Sequence, residues 1–133
     1  MTGWRNVLMK EQPGGAVYEL YANTGTGKPA GGVFTTAENM VQGGSSLAPD
    51  VWSHVATTYD GTTQRLFVNG VEVASRAQAG PLKKSSNPLR IGGNNIWGEY
   101  FQGLIDEVRV YNRALTATEI QADMSIPVVA GVQ

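Results

Sequence analysis

Cysteine is missing from this 133-residue chain altogether, and histidine occurs once, at position 54. The first absence removes disulfide frameworks and thiol chemistry, and leaves the compartment unmarked by cysteine usage. The second means that any nucleophile–histidine–acid triad would have to recruit His54 as its base. Charge is scarce as well: charged residues make up 16% and the formal net charge is −1. Nothing in that balance draws the chain to nucleic acid or to an anionic lipid surface. No apolar run approaches the roughly 18 residues a membrane-spanning helix needs, so membrane insertion is not expected.

What the chain has in quantity is punctuation: seventeen glycines and six prolines, with β-branched and aromatic runs between them. That is the composition of an all-β domain of short strands. A chain of this size folds as one domain with a single core. Residues 1–126 are expected to form that domain, and 127–133 a C-terminal tail.

Arg5 to Glu11 and Ala16 to Ala22 read as strands joined by the turn-forming Gln12-Pro13-Gly14-Gly15. In the second, alternation puts Tyr18, Leu20 and Ala22 on one face, Glu19 and Tyr21 on the other. Asn23 to Gly32 reads as a loop before a short strand at Val33 to Thr36, and Val41 to Asp50 as another loop. Trp52 to Tyr59 reads as a strand, turned by Asp60-Gly61. Arg65 to Val68 and Val71 to Ala74 form the clearest hairpin, because Asn69-Gly70 suits both positive-φ positions of a type I′ turn. Leu89 to Gly92 is a short strand, Gly93 to Tyr100 a loop, and Phe101 to Tyr111 a last long strand. Thr116-Ala117-Thr118-Glu119 is a capping box opening a short helix, with Leu115 and Ile120 placed for a hydrophobic staple. About eight antiparallel strands of this kind build a sandwich or a barrel.

Three places carry potential chemistry. The loop holding Asn94, Asn95, Trp97, Glu99 and Tyr100 combines amides, a carboxylate and aromatic faces. Sugars need that mixture, since their C–H faces stack on rings while their hydroxyls bond to polar groups. Asp106 interrupts an otherwise apolar strand face of Leu104, Val108 and Val110. A carboxylate there needs N–H donors, a cation or an edge position, which makes Asp106 the best single candidate for calcium. His54 reads as an exposed or half-buried strand residue, and Trp4 and Trp52 as core. Glycoside hydrolysis needs two suitably placed carboxylates, and the adjacent Asp106 and Glu107 would point to opposite faces of a strand.

The run Gly103-Leu104-Ile105-Asp106-Glu107-Val108-Arg109-Val110-Tyr111-Asn112-Arg113-Ala114-Leu115 resembles the closing signature of LamG-like jelly-roll domains in the concanavalin A-like lectin/glucanase superfamily. Trp52-Ser53-His54-Val55-Ala56-Thr57-Thr58-Tyr59-Asp60-Gly61, Arg65-Leu66-Phe67-Val68-Asn69-Gly70 and Pro88-Leu89-Arg90-Ile91-Gly92-Gly93-Asn94 agree with it in order. The resemblance covers Trp4 to Met124. It implies an antiparallel jelly-roll β-sandwich with one short C-terminal helical turn, and a non-catalytic module at the cell surface or outside it. It also implies a calcium site near Asp106 and a glycan or glycosylated protein as partner. The superfamily's catalytic glucanases carry a Glu-x-Asp-x-x-Glu strand, which this chain lacks. The strands that usually precede the Trp4-like position are missing too, so a fragment or a shortened sandwich is expected. Open sheet edges would follow, and with them a homodimer. An assembly domain that binds no small ligand is the alternative.

Overall fold

The computed structural model describes residues 3–129. They form eight strands and one helix: β1 (Arg5–Gln12), β2 (Gly15–Asn23), β3 (Ala30–Phe34), β4 (Glu38–Gln42), β5 (Val55–Tyr59), β6 (Thr63–Val68), β7 (Val71–Ala77), β8 (Leu89–Ile91) and α1 (Ala117–Ser125). All strand pairs are antiparallel. They make a five-stranded sheet, β4-β3-β2-β1-β8, and a three-stranded sheet, β5-β6-β7. The architecture is a jelly-roll β-sandwich.

Local chemistry sets the best-defined turns. Asn69 and Gly70 both take positive φ, 50° and 77°, as a type I′ hairpin requires. At the helix start, Glu119 N donates to Thr116 Oγ1 (3.2 Å) while Thr116 N donates to Glu119 Oε2 (2.8 Å), closing the capping box. Gln121 Nε2 then donates to Gly70 O (2.9 Å), tying α1 to the β6–β7 turn.

Between the sheets the decisive residue is Gly31. A Cβ there would lie 2.5 Å from Thr57 Oγ1 and 2.6 Å from Thr57 Cβ, so only glycine lets β3 approach β5 this closely. Gly32 projects to the opposite face, where a Cβ would meet Glu19 Oε1 at 2.5 Å. Strand β3 therefore starts at Ala30, earlier than its glycine-rich sequence suggested, and β4 occupies what read as a connecting segment. Leu66, Val33 and Val41 are buried. On Gly32's face, Met9, Ala16, Tyr21 and Ala30 form a second apolar cluster, against which Met40 and Ile96 pack.

Three expectations need correcting. Residues 101–111 form no strand. Their backbone turns left-handed at Glu107 (φ 54°), which breaks the alternation, and Leu104 is 79% exposed, with Val108 and Val110 also exposed. The segment instead braces the helix: Arg109 Nη1 donates to Asp123 O (2.7 Å), its Nη2 to Ile126 O, and Tyr111 OH to Asp123 Oδ2 (2.6 Å). Trp52 is not core but 65% exposed, because the β5 ladder begins three residues later, at Val55. Trp4 is 43% exposed and lies ahead of β1, its ring edge-on to Tyr21 at 5.3 Å between centroids.

Candidate functional site

Loop 93–100 follows β8 and folds back on itself. Gly93 and Tyr100 form an antiparallel bridge, Asn94 N donates to Glu99 O (3.0 Å), and Phe101 N donates to Gly92 O (3.0 Å). Glycine is required at 93, where a Cβ would stand 2.5 Å from Tyr100 Cδ1 and 3.0 Å from Glu99 O. The loop thus lies over the outer face of the five-stranded sheet, with an underside and an upper side of different character.

The underside is fastened. Ile96 packs on the Met9–Ala16–Tyr21–Ala30 cluster. Asn94 is fully buried: its Oδ1 accepts from Trp97 N (2.8 Å) and its Nδ2 donates to Glu99 Oε2 (3.0 Å). The same Glu99 oxygen accepts from Tyr21 OH at 2.6 Å, joining the loop to β2. Asn94, read from sequence as a ligand contact, spends its amide inside the loop, and Glu99 holds the loop to the sheet. Both are bracing residues, because a buried polar group must be bonded where it lies.

The upper side is open. Trp97 is 46% and Tyr100 58% exposed, and Asn95 is exposed between them. Tyr100 OH and Asn95 Oδ1 stand 3.5 Å apart. Beside them runs a shallow groove of about 300 Å³, lined by Leu89, Arg90, Ile91, Asn95 and Tyr100 among others. Its guanidinium is held in place, since Arg90 Nε donates to Glu11 Oε1 (2.8 Å), which also accepts from Asn95 N (3.0 Å). Burial pushes the Glu11 carboxyl up, but the Asn95 N–H and Arg90 outweigh it and hold that carboxyl below its ordinary value. Three of the five residues singled out from sequence therefore share one exposed surface. Arg90, Leu89 and Ile91 were missed because strand alternation does not show that β8 is an edge strand with both faces reachable. A second depression of about 320 Å³, lined by Pro29, Ser46, Leu47, Val68 and Val73 among others, offers no charged side chain.

The other two candidates are placed elsewhere. Asp106 is exposed, and its Oδ1 accepts from Glu107 N (2.8 Å). Glu107 Oε2 is taken by Val128 N (2.5 Å) and faces Arg109 Nη2 at 3.5 Å. Among the described residues, no group of three or more His, Cys, Asp or Glu side chains is placed to hold a metal ion. Calcium needs six to eight oxygens, and the surroundings of Asp106 do not fit it. His54 is half-buried with Nδ1 unbonded. Burial pushes its imidazole pKa down, Arg109 adds to this, and Asp123 opposes it. No helix among the described residues is long and apolar enough to cross a membrane.

The Laminin_G_3 profile, described as concanavalin A-like lectin/glucanases superfamily, matches residues 1–121. The chain belongs to that family. Two curated relatives are similar to this Laminin_G_3 domain in part: Pappalysin-1 of Mus musculus, 34% identical over 84 residues, and Pappalysin-1 of Homo sapiens, 37% identical over 84 residues. Each alignment covers 59% of this chain and 5% of the relative, so the domain spans a small fraction of their length. Among solved structures, an S-layer domain-containing protein (residues 221–444) from Clostridium thermocellum ATCC 27405 is similar, with a TM-score of 0.52 and 26% identity. That match covers 92% of this chain and 63% of the other.

Proposed function

We propose that this Laminin_G_3 domain is a non-catalytic binding module that takes carbohydrate, free or on a glycosylated protein, on the upper side of loop 93–100. One observation carries the reading. Trp97, Tyr100 and Asn95 are exposed together beside the Arg90 groove, on a loop whose other side is hydrogen-bonded to the sheet. Exposed rings on a preorganised loop lose little entropy on binding, and the neighbouring amide and guanidinium supply directional bonds to hydroxyls or carboxylates. An extracellular or cell-surface setting belongs to the same proposal, supported by the likeness to an S-layer domain-containing protein. Polysaccharide pull-down tests it. Tyr100→Ala is expected to weaken binding of a glycan retained by the wild type by about 1–3 kcal/mol, roughly five- to 150-fold. Retention of no glycan, or equal retention by the variant, would overturn it.

A second reading, assembly with another copy of the chain, is favoured by residues 104–110. Leu104, Val108 and Val110 are exposed on a segment that pairs with no strand, and β4, β8, β5 and β7 are edge strands. Exposed apolar surface next to open edges favours strand or face sharing, and a symmetric dimer satisfies both copies at once. Light scattering at micromolar concentration decides it: this reading expects an even-numbered assembly, and a stable monomer of 14.2 kDa refutes it.

A further inference from the structure

On the face of β2 that carries Tyr21, two residues away, lies a carboxyl that the binding surface does not use. Glu19 is 1% exposed, and its Oε2 makes no hydrogen bond. Its backbone partners on the flanking strands, Met9 of β1 and Gly32 of β3, bring no charge. The ionisable groups that act on it are Glu38 from β4, Glu99 from the loop and Tyr21 from its own strand. All of these are anionic when ionised. Arg90 pairs with Glu11, and Arg5 donates from Nη1 to Tyr100 O at 3.2 Å while its Nε makes no hydrogen bond.

A carboxylate without a cation in a dry site is costly, so such a group keeps its proton. Glu19 is pushed up to about 9, by burial first, then by a hydrogen bond with Glu38 and the charge of Glu38, then by the charge of Glu99, with the Tyr21 hydroxyl opposing. Burial, with Glu19 and Glu99 adding to it, drives the Tyr21 hydroxyl far above its ordinary value, so that it stays a donor to Glu99. Glu99 meanwhile is bonded as an acceptor, by Tyr21 OH and Asn94 Nδ2.

We propose that the proton on Glu19 is a latch for loop 93–100: while it is held, the loop stays seated on the sheet, and when it leaves, repulsion between Glu19 and Glu99 lifts the loop. The consequence for ligand capture rests on the loop being the binding surface. The latch itself does not, and its test reads the loop directly. Ile96 supplies the probe, because its methyls pack on the cluster that includes Tyr21 and are insensitive to amide exchange at alkaline pH.

Carbon-13 methyl spectra of the full chain should be followed from about pH 6 to about pH 10, bracketing the raised value. In the wild type the Ile96 methyls are expected to move through one transition near pH 9. In Glu19→Gln they are expected to stay fixed. In Glu38→Gln the transition is expected at lower pH, because one of the charges that retains the proton has gone. That second variant also keeps the test decisive if Glu19→Gln fails to fold. A flat wild-type titration, a wild-type transition persisting in Glu19→Gln, or an unmoved midpoint in Glu38→Gln would each overturn the latch. Loss of glycan binding with the Ile96 transition intact would instead refute the binding surface and leave the latch standing.

Discussion

Raising the pH from about 5 to about 9 should destabilise the domain by several kcal/mol, and Glu19→Gln should remove most of that slope. The sign follows from proton binding. The folded Glu19 holds its proton up to about 9, whereas the unfolded side chain releases it near 4.5. Across that window the unfolded state binds fewer protons, so stability falls as pH rises, by at most about 1.4 kcal/mol per pH unit. Below the unfolded value the contribution is complete; above the folded value nothing more is lost. Other carboxyls act in the opposite direction at lower pH. Glu119 is held at about 2 by Arg113 and by the Thr116 N–H. Asp60 is kept well below its ordinary value by Arg65, then by Thr62 and Thr63. Their stabilisation is present above the ordinary carboxyl range and disappears as pH falls through their own depressed values. The expected profile therefore peaks in mild acid. Urea denaturation at a series of pH values measures it, and stability that rises from pH 5 to pH 9 would contradict the buried-proton account.

Replacing Tyr21 by alanine should cost about 3–5 kcal/mol, the range for deleting a fully buried aromatic side chain. Tyr21 is 1% exposed and has three roles. Its ring belongs to the apolar cluster under the loop, it meets Trp4 edge-on, and its hydroxyl bonds to Glu99 across 78 residues of sequence. Tyr21→Phe separates these roles. It keeps the ring and leaves the Glu99 oxygen with Asn94 Nδ2 alone, at an expected cost of about 1–2 kcal/mol. Midpoint shifts in urea check both figures. Equal losses in the two variants would mean that the hydroxyl, and not the buried ring, anchors the loop.

Features governed by near neighbours were legible in the sequence. Asn69-Gly70 and the Thr116–Glu119 box needed only residues within one turn, and the faces of Glu19 and Tyr21 followed from period-two alternation. Features set by distant partners were not. Strand β3 illustrates this: Ala30, Gly31 and Gly32 read as loop because glycine is poor in strands, yet Gly31 is demanded by Thr57 of the opposite sheet. Leu104 to Val110 has strand-like alternation, but a ladder needs a partner edge, and here Arg109 and Tyr111 are drawn to α1 instead. In the candidate site the loop was recognisable from its amides and rings, while its two sides were not. Asn94 and Asn95 are chemically identical, and only the position of Glu99 beside Tyr21 makes the first a brace and leaves the second exposed.

The central claim is that loop 93–100 binds with its upper side and is held by its lower side. Glycan-array titration of the wild type and Trp97→Ala, with a thermal melt of each sample, tests it most directly. Trp97 is 46% exposed, so its removal should weaken binding by about 1–3 kcal/mol and leave the melting temperature nearly unchanged. A large fall in melting temperature, or full-strength binding without the Trp97 ring, would contradict the account.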